Sequence, residues 1–129
     1  MNLQKLIFTT TIFLGLTTSG ALAETLVREE ITQFISGKKV LLQTGYGIDF
    51  PMYYQANGRV TGDGEGTGLG KFFTPKETGK WWVQGSQMCQ QFPTWYKGRA
   101  ICFVLEKTGA STMIWHREDG KSGTAKISG

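Results

Sequence analysis

The sequence predicts a mainly β protein, a small antiparallel β-barrel or sandwich with a short N-terminal helix and one disulfide. Three observations carry that expectation. From Lys38 onward the chain divides into short β-prone runs separated by glycine-bearing turns, the pattern of antiparallel sheets. The one stretch with apolar residues at helical spacing, Glu24 to Ser36, precedes all of them. The two cysteines, Cys89 and Cys102, lie on neighbouring runs, where a bridge between facing strands would fix their register.

Ahead of the helix, MNLQKLIFTTTIFLGLTTSGALA joins a positive charge at Lys5 to an apolar run from Leu6 to Leu16 and ends in Ala21-Leu22-Ala23. That is the pattern of a secretory signal peptide cleaved after Ala23. Thr9 to Thr11 interrupt the run, which falls short of the ~20 residues a spanning helix needs, so stable membrane insertion after cleavage is not expected. Residues 24–129 then form a single β-rich domain in the periplasm or outside the cell, a length that suits one core. In that oxidising setting Cys89 and Cys102 are expected to pair. The chain has no C-x-x-C and a single histidine, so neither a redox pair nor a metal site is expected.

Each element has its own signal. Val27, Ile31, Phe34 and Ile35 fall at helical spacing, acidic residues come early, and Gly37 supplies the stop. Lys39 to Thr44 predicts a strand broken by Gly45-Tyr46-Gly47. Pro51 to Thr61, PMYYQANGRVT, predicts a hairpin about Asn57-Gly58, because both residues tolerate positive φ. Further strands are expected at Lys80 to Met88, Arg99 to Lys107, Ser111 to Arg117 and Gly123 to Ile127. Turns at Thr108-Gly109-Ala110 and Glu118 to Lys121 join the last three. Pro93 and Gly98 keep QQFPTWYKGRAI, between the cysteines, a loop. About seven short strands at such spacing suit a sandwich or small barrel.

The stretch TGDGEGTGLGKFF, Thr61 to Phe73, resembles a phosphate-cradling loop at first sight. Its glycines all sit at even positions, whereas both nucleotide-binding fingerprints need two glycines an odd number of residues apart. No nucleotide is expected. Period two is instead the alternation of a strand with one bare face, and the competing reading is a glycine-rich connector. Asp49, Asp63 and Glu65 read as a solvated acidic face and not as a calcium site. The formal net charge of +4 is spread along the chain without a basic block, so no nucleic-acid partner is expected.

Aromatic residues concentrate in the disulfide half: Trp81, Trp82, Trp95, Tyr96 and Trp115. Adjacent strand residues point to opposite faces, so one of Trp81 and Trp82 should be exposed or line a pocket. Trp95 and Tyr96 fall in a hairpin loop, where they present a contact surface or fold back over the core edge. His116, with Glu118 and Asp119 near it, is the one candidate general base. No nucleophile elbow or second histidine accompanies it, and no cofactor is expected.

The pattern Gly79-Lys80-Trp81-Trp82, Cys89, Trp95, Cys102, Trp115 and Asp119-Gly120 resembles an uncharacterised family of small exported domains in Gram-negative bacteria. Gly37-Lys38-Lys39 and Tyr53-Tyr54 ahead of Asn57-Gly58-Arg59 are similar to the start of that family. The resemblance implies a fold and no catalytic residue. In architecture the chain is also similar to small periplasmic metalloprotease inhibitors, from which its helical N-terminus departs. The resulting expectation is an exported periplasmic binding or interaction module without catalytic activity. It would offer Trp81, Trp82, Trp95, Tyr96, Trp115 and His116 to a protein partner or small apolar ligand. The alternatives are a cell-envelope enzyme centred on His116 and an inhibitor of a secreted protease.

Overall fold

A computed structural model of the chain describes residues 23–43, 49–64 and 76–129. The stretch up to Leu22 expected to be a signal peptide, the expected break at Gly45-Tyr46-Gly47 and the glycine run from residue 65 onward lie outside the described residues. The elements in chain order are β1 (Glu24–Thr25), α1 (Arg28–Ile35), β2 (Lys38–Gln43), β3 (Asp49–Tyr54), β4 (Arg59–Gly62), β5 (Glu77–Gln84), β6 (Gln87–Gln91), β7 (Ile101–Gly109), β8 (Thr112–Arg117) and β9 (Ser122–Ser128). Each of β2 to β9 pairs antiparallel with the next, and β9 returns to β2. The result is a closed eight-stranded up-and-down barrel, with β1 added beside β7. Closure removes the exposed sheet edges that a sandwich of the same strands would retain.

Two sequence expectations need correction. The helix does not begin at Glu24. Glu24 and Thr25 pair with Lys107 and Glu106, and the helix starts at Arg28 after the Glu30 carboxylate accepts the Val27 N–H at 3.1 Å. The run Lys80 to Met88 is not one strand but parts of two, divided at Gly85, whose φ is +61°. A turn forms at Asn57-Gly58, but only Gly58 is left-handed, at φ +89°, while Asn57 contributes its side chain, which accepts the Arg59 N–H.

Alternation along the strands fills the barrel. Val40, Met52, Val60, Trp81, Leu105 and Ala125 are all buried and point inward. An eight-stranded barrel is just wide enough to be packed by side chains or to hold one small ligand. The ends differ. At one end Leu26, Ile31 and Ile35, none more than 2 % exposed, cover the opening. Burying each such side chain contributes roughly 1.5–3 kcal/mol. β2 starts at that end, beside the helix, so β2, β4, β6 and β8 all finish at the other end. There the β6–β7 connection replaces a helix.

The disulfide lies on the wall. Cys89 and Cys102 are directly opposed on β6 and β7 and are bonded. Because they face outward, their neighbours Met88, Gln90, Ile101 and Phe103 are turned inward, and all four are buried.

Candidate ligand site beneath the β6–β7 connection

The site begins with a backbone anomaly. In the 3-10 turn Trp95–Gly98, Tyr96 and Lys97 have φ of 56° and 58°, and Gly98 follows at 73°. Three successive left-handed residues are costly for side chains other than glycine, about 1–2 kcal/mol each. Several contacts outweigh that cost. The Glu77 carboxylate on β5 accepts the Thr94 N–H and hydroxyl and, at 3.4 Å, the Trp95 N–H. Partial burial raises the Glu77 carboxyl, but these hydrogen bonds together prevail and hold it below its ordinary value. Gln91 Nε2 donates to the Gly98 carbonyl at 2.9 Å.

The Arg117 guanidinium lies 5.3 Å from the Tyr96 ring centroid, a cation–π distance. Asp119 grips the same guanidinium through both oxygens, at 2.8 and 2.6 Å. That pairing, reinforced by the Lys121 N–H, lowers the Asp119 carboxyl to about 2.

So held, Trp95 and Tyr96 fold back over the barrel. Trp95 packs edge-on against Phe50, with ring centroids 5.9 Å apart, and tilted against Phe92 at 4.4 Å. Its ring also lies on Gly62, where any Cβ would collide with it. The first glycine of the run is therefore a strand residue whose bare face admits an indole.

Below these rings is a cavity of about 420 Å³ lined by Leu42, Phe50, Met52, Gln90, Trp95 and Tyr96, with Thr94 at its edge. The volume lies within the range of small-molecule sites, about 300–1,000 Å³. Among the described residues its walls are mostly apolar, with polar groups from Thr94, Tyr96 and Gln90, the last only 4 % exposed. The Tyr54 hydroxyl donates to Gln90 Oε1 at 2.7 Å. Burial, with a smaller contribution from Tyr96, pushes the Tyr54 phenol well above its ordinary value, so Tyr54 stays a donor. Gln90 thus commits its oxygen and has only its NH2 to offer the cavity. The Trp95 indole N–H is enclosed with no acceptor among the described residues.

The other sequence-predicted residues are distributed elsewhere. Trp81 is core: 7 % exposed, edge-on to Tyr54, its N–H donated to the Gln55 carbonyl at 2.8 Å. Trp82 faces outward, half-buried, with Lys80 over its ring and its N–H 3.3 Å from Gln84 Oε1. Trp115 lies edge-on to Phe103 and over Gly123, where a Cβ would strike its indole. His116 is exposed on the outer wall, 2.9 Å from Glu106, while Asp119 is engaged by Arg117. The structure therefore brings Trp95 and Tyr96 together at one site and leaves Trp81, Trp82 and His116 outside it.

Sequence reasoning missed Leu42, Phe50, Met52 and Gln90 as lining, and Glu77 and Arg117 as supports. One signal was present for Gln90: in QMCQQ, an outward cysteine forces the residues beside it inward. No protein-family model, curated protein or solved structure matches the chain.

Proposed function

We propose that this protein is an exported, non-enzymatic binding module whose barrel takes one small, largely apolar ligand bearing a hydrogen-bond acceptor. The observation that carries the reading is the cavity beneath Trp95 and Tyr96, mostly apolar among the described residues and holding a buried carboxamide with its NH2 uncommitted. Trp95 and Tyr96 turn into that cavity, which supports a ligand over a protein partner for these two rings. The leader-like first 23 residues and the disulfide support export to an oxidising compartment.

A matched pair of probes tests the reading. 2-Decanone and n-decane are similar in size and differ in a carbonyl acceptor, and binding is followed by quenching of the Trp95 emission. One neutral hydrogen bond predicts a preference for the ketone of roughly 3- to 10-fold, lost in Gln90→Met. Failure of either probe to bind, or equal affinity for both in the native protein, overturns the proposal.

A further inference from the structure

The register of five strands sets one residue of each in a line across the outside of the barrel. Ser128 is opposite Lys39, Lys39 opposite Tyr53, Tyr53 opposite Thr61, and Thr61 opposite Thr78. Opposed residues share a face. Val40, Met52 and Val60, each one residue away, are buried inside, so the line faces solvent. Strands are about 4.8 Å apart, which makes the row about 19 Å long.

This row is the floor of a groove of about 670 Å³ whose walls add Lys38 and Lys76 and, among the described residues, include no Asp or Glu. Lys38 folds against Gly129. Lys39 and Lys76 have no carboxylate partner among the described residues. Lys39 Nζ stands 5.7 Å from the centroid of Tyr53, a ring left 37 % exposed. The Thr61 and Thr78 hydroxyls lie 3.0 Å apart and form a linked pair of donors and acceptors. Two residues along the same strands, beside the groove, Arg59 is directly opposite Lys80, and both are exposed. Like charges so placed repel, and a bound anion relieves that repulsion.

We propose that this groove binds a short anionic oligosaccharide lying across β9, β2, β3, β4 and β5. The chemistry selects it. The apolar face of a sugar ring stacks on Tyr53, its acidic substituents meet Lys39 and Lys76, and its hydroxyls exchange hydrogen bonds with Ser128, Thr61 and Thr78. A single-stranded nucleic acid would need cations tracking each phosphate and rings for successive bases, whereas the row offers one ring among three hydroxyl side chains. The surface is separate from the barrel cavity, so the two readings stand or fall independently.

The test is calorimetric titration with tetragalacturonate, beside maltotetraose and a single-stranded tetranucleotide. Tetragalacturonate should bind best. The double substitution Lys39→Gln with Lys76→Gln should weaken it at least about fivefold, as two exposed charge pairs allow. Tyr53→Ala should weaken it without changing the salt dependence, and Lys121→Gln with Lys126→Gln, an equal change of charge outside the row, should leave it unaltered. Amide chemical shifts of the native protein should move at Tyr53, Thr61 and Thr78, a readout that requires no variant. Absence of tetragalacturonate binding, shifts confined to other strands, equal binding of maltotetraose, or tighter binding of the tetranucleotide would each overturn the proposal.

Discussion

Replacing Gly62 with alanine probes the link between strand β4 and the roof of the cavity. In most exposed positions outside the left-handed region a Gly→Ala change stabilises by about 0.4–1 kcal/mol, through the unfolded chain. At Gly62 the added methyl would overlap the six-membered ring of Trp95 and approach Met52 Sδ to 3.1 Å. The ring cannot yield easily, because Phe50 and Phe92 flank it and Glu77 fixes the backbone at Thr94 and Trp95. Overpacking of this kind costs about 1–3 kcal/mol. At about 4–8 °C per kcal/mol for a domain of roughly this size, the midpoint of thermal unfolding should fall by about 5–20 °C. The assay is thermal and urea unfolding of the native protein, Gly62→Ala, Trp95→Leu and the double variant. The two changes should be strongly non-additive, the methyl being tolerated once the ring is gone. A Gly62→Ala protein as stable as the native one, or a simple sum in the double variant, would refute the packing of Trp95 on Gly62.

Other expectations follow from the same contacts. Removing the disulfide by Cys89→Ala with Cys102→Ala should lower stability by about 3 kcal/mol for a bridge of this span, a sequence separation of 13, as read from urea midpoints. Glu77 has its carboxyl lowered from 4.5 in the fold, so its stabilisation is fully present above that ordinary value and lost as pH falls through the lower folded one. The stability gap between native protein and Glu77→Gln should therefore be constant near neutrality and close below about pH 4.5. Asp119, held at about 2 against an ordinary 3.8, should behave likewise, with the gap to Asp119→Asn closing between those two values in the same titration.

The architecture was legible because its signals are local. Asn57-Gly58 specifies a turn by its own φ preferences, Gly37 stops the helix, and the cysteines need only their two strands to face each other. The division of Lys80–Met88 was missed because Gly85 interrupts a run that is β-prone on both sides, and only its left-handed φ declares the turn. Trp81 and Trp82 show the same limit. Alternation requires one to face in and one out, but which one is set by closure of the barrel. Trp81 opposes Gln90 and Trp82 opposes Cys89, so the outward disulfide decides the question for both.

The cavity was less legible because no segment contains it. Leu42, Phe50, Met52 and Gln90 come from three runs that look like ordinary strand sequence, and they meet only when β2, β3 and β6 close around one end. Its roof is harder still, since nothing in TWYKG announces that two non-glycine residues will turn left-handed. That conformation is sustained by Glu77 and Arg117, which are distant in sequence and become neighbours of the loop through the strand register. The outer groove teaches the same point from the other side. Lys39 and Lys76 lie far apart in the chain, and an even spread of lysines along a sequence argues against a basic block only until antiparallel pairing lays them on one wall. In a closed meander, alternate residues of every strand share a face with those of both neighbours. A weak excess of charge is therefore enough to make a cationic surface where the carboxylates of the same strands, such as Glu77, lie outside the row.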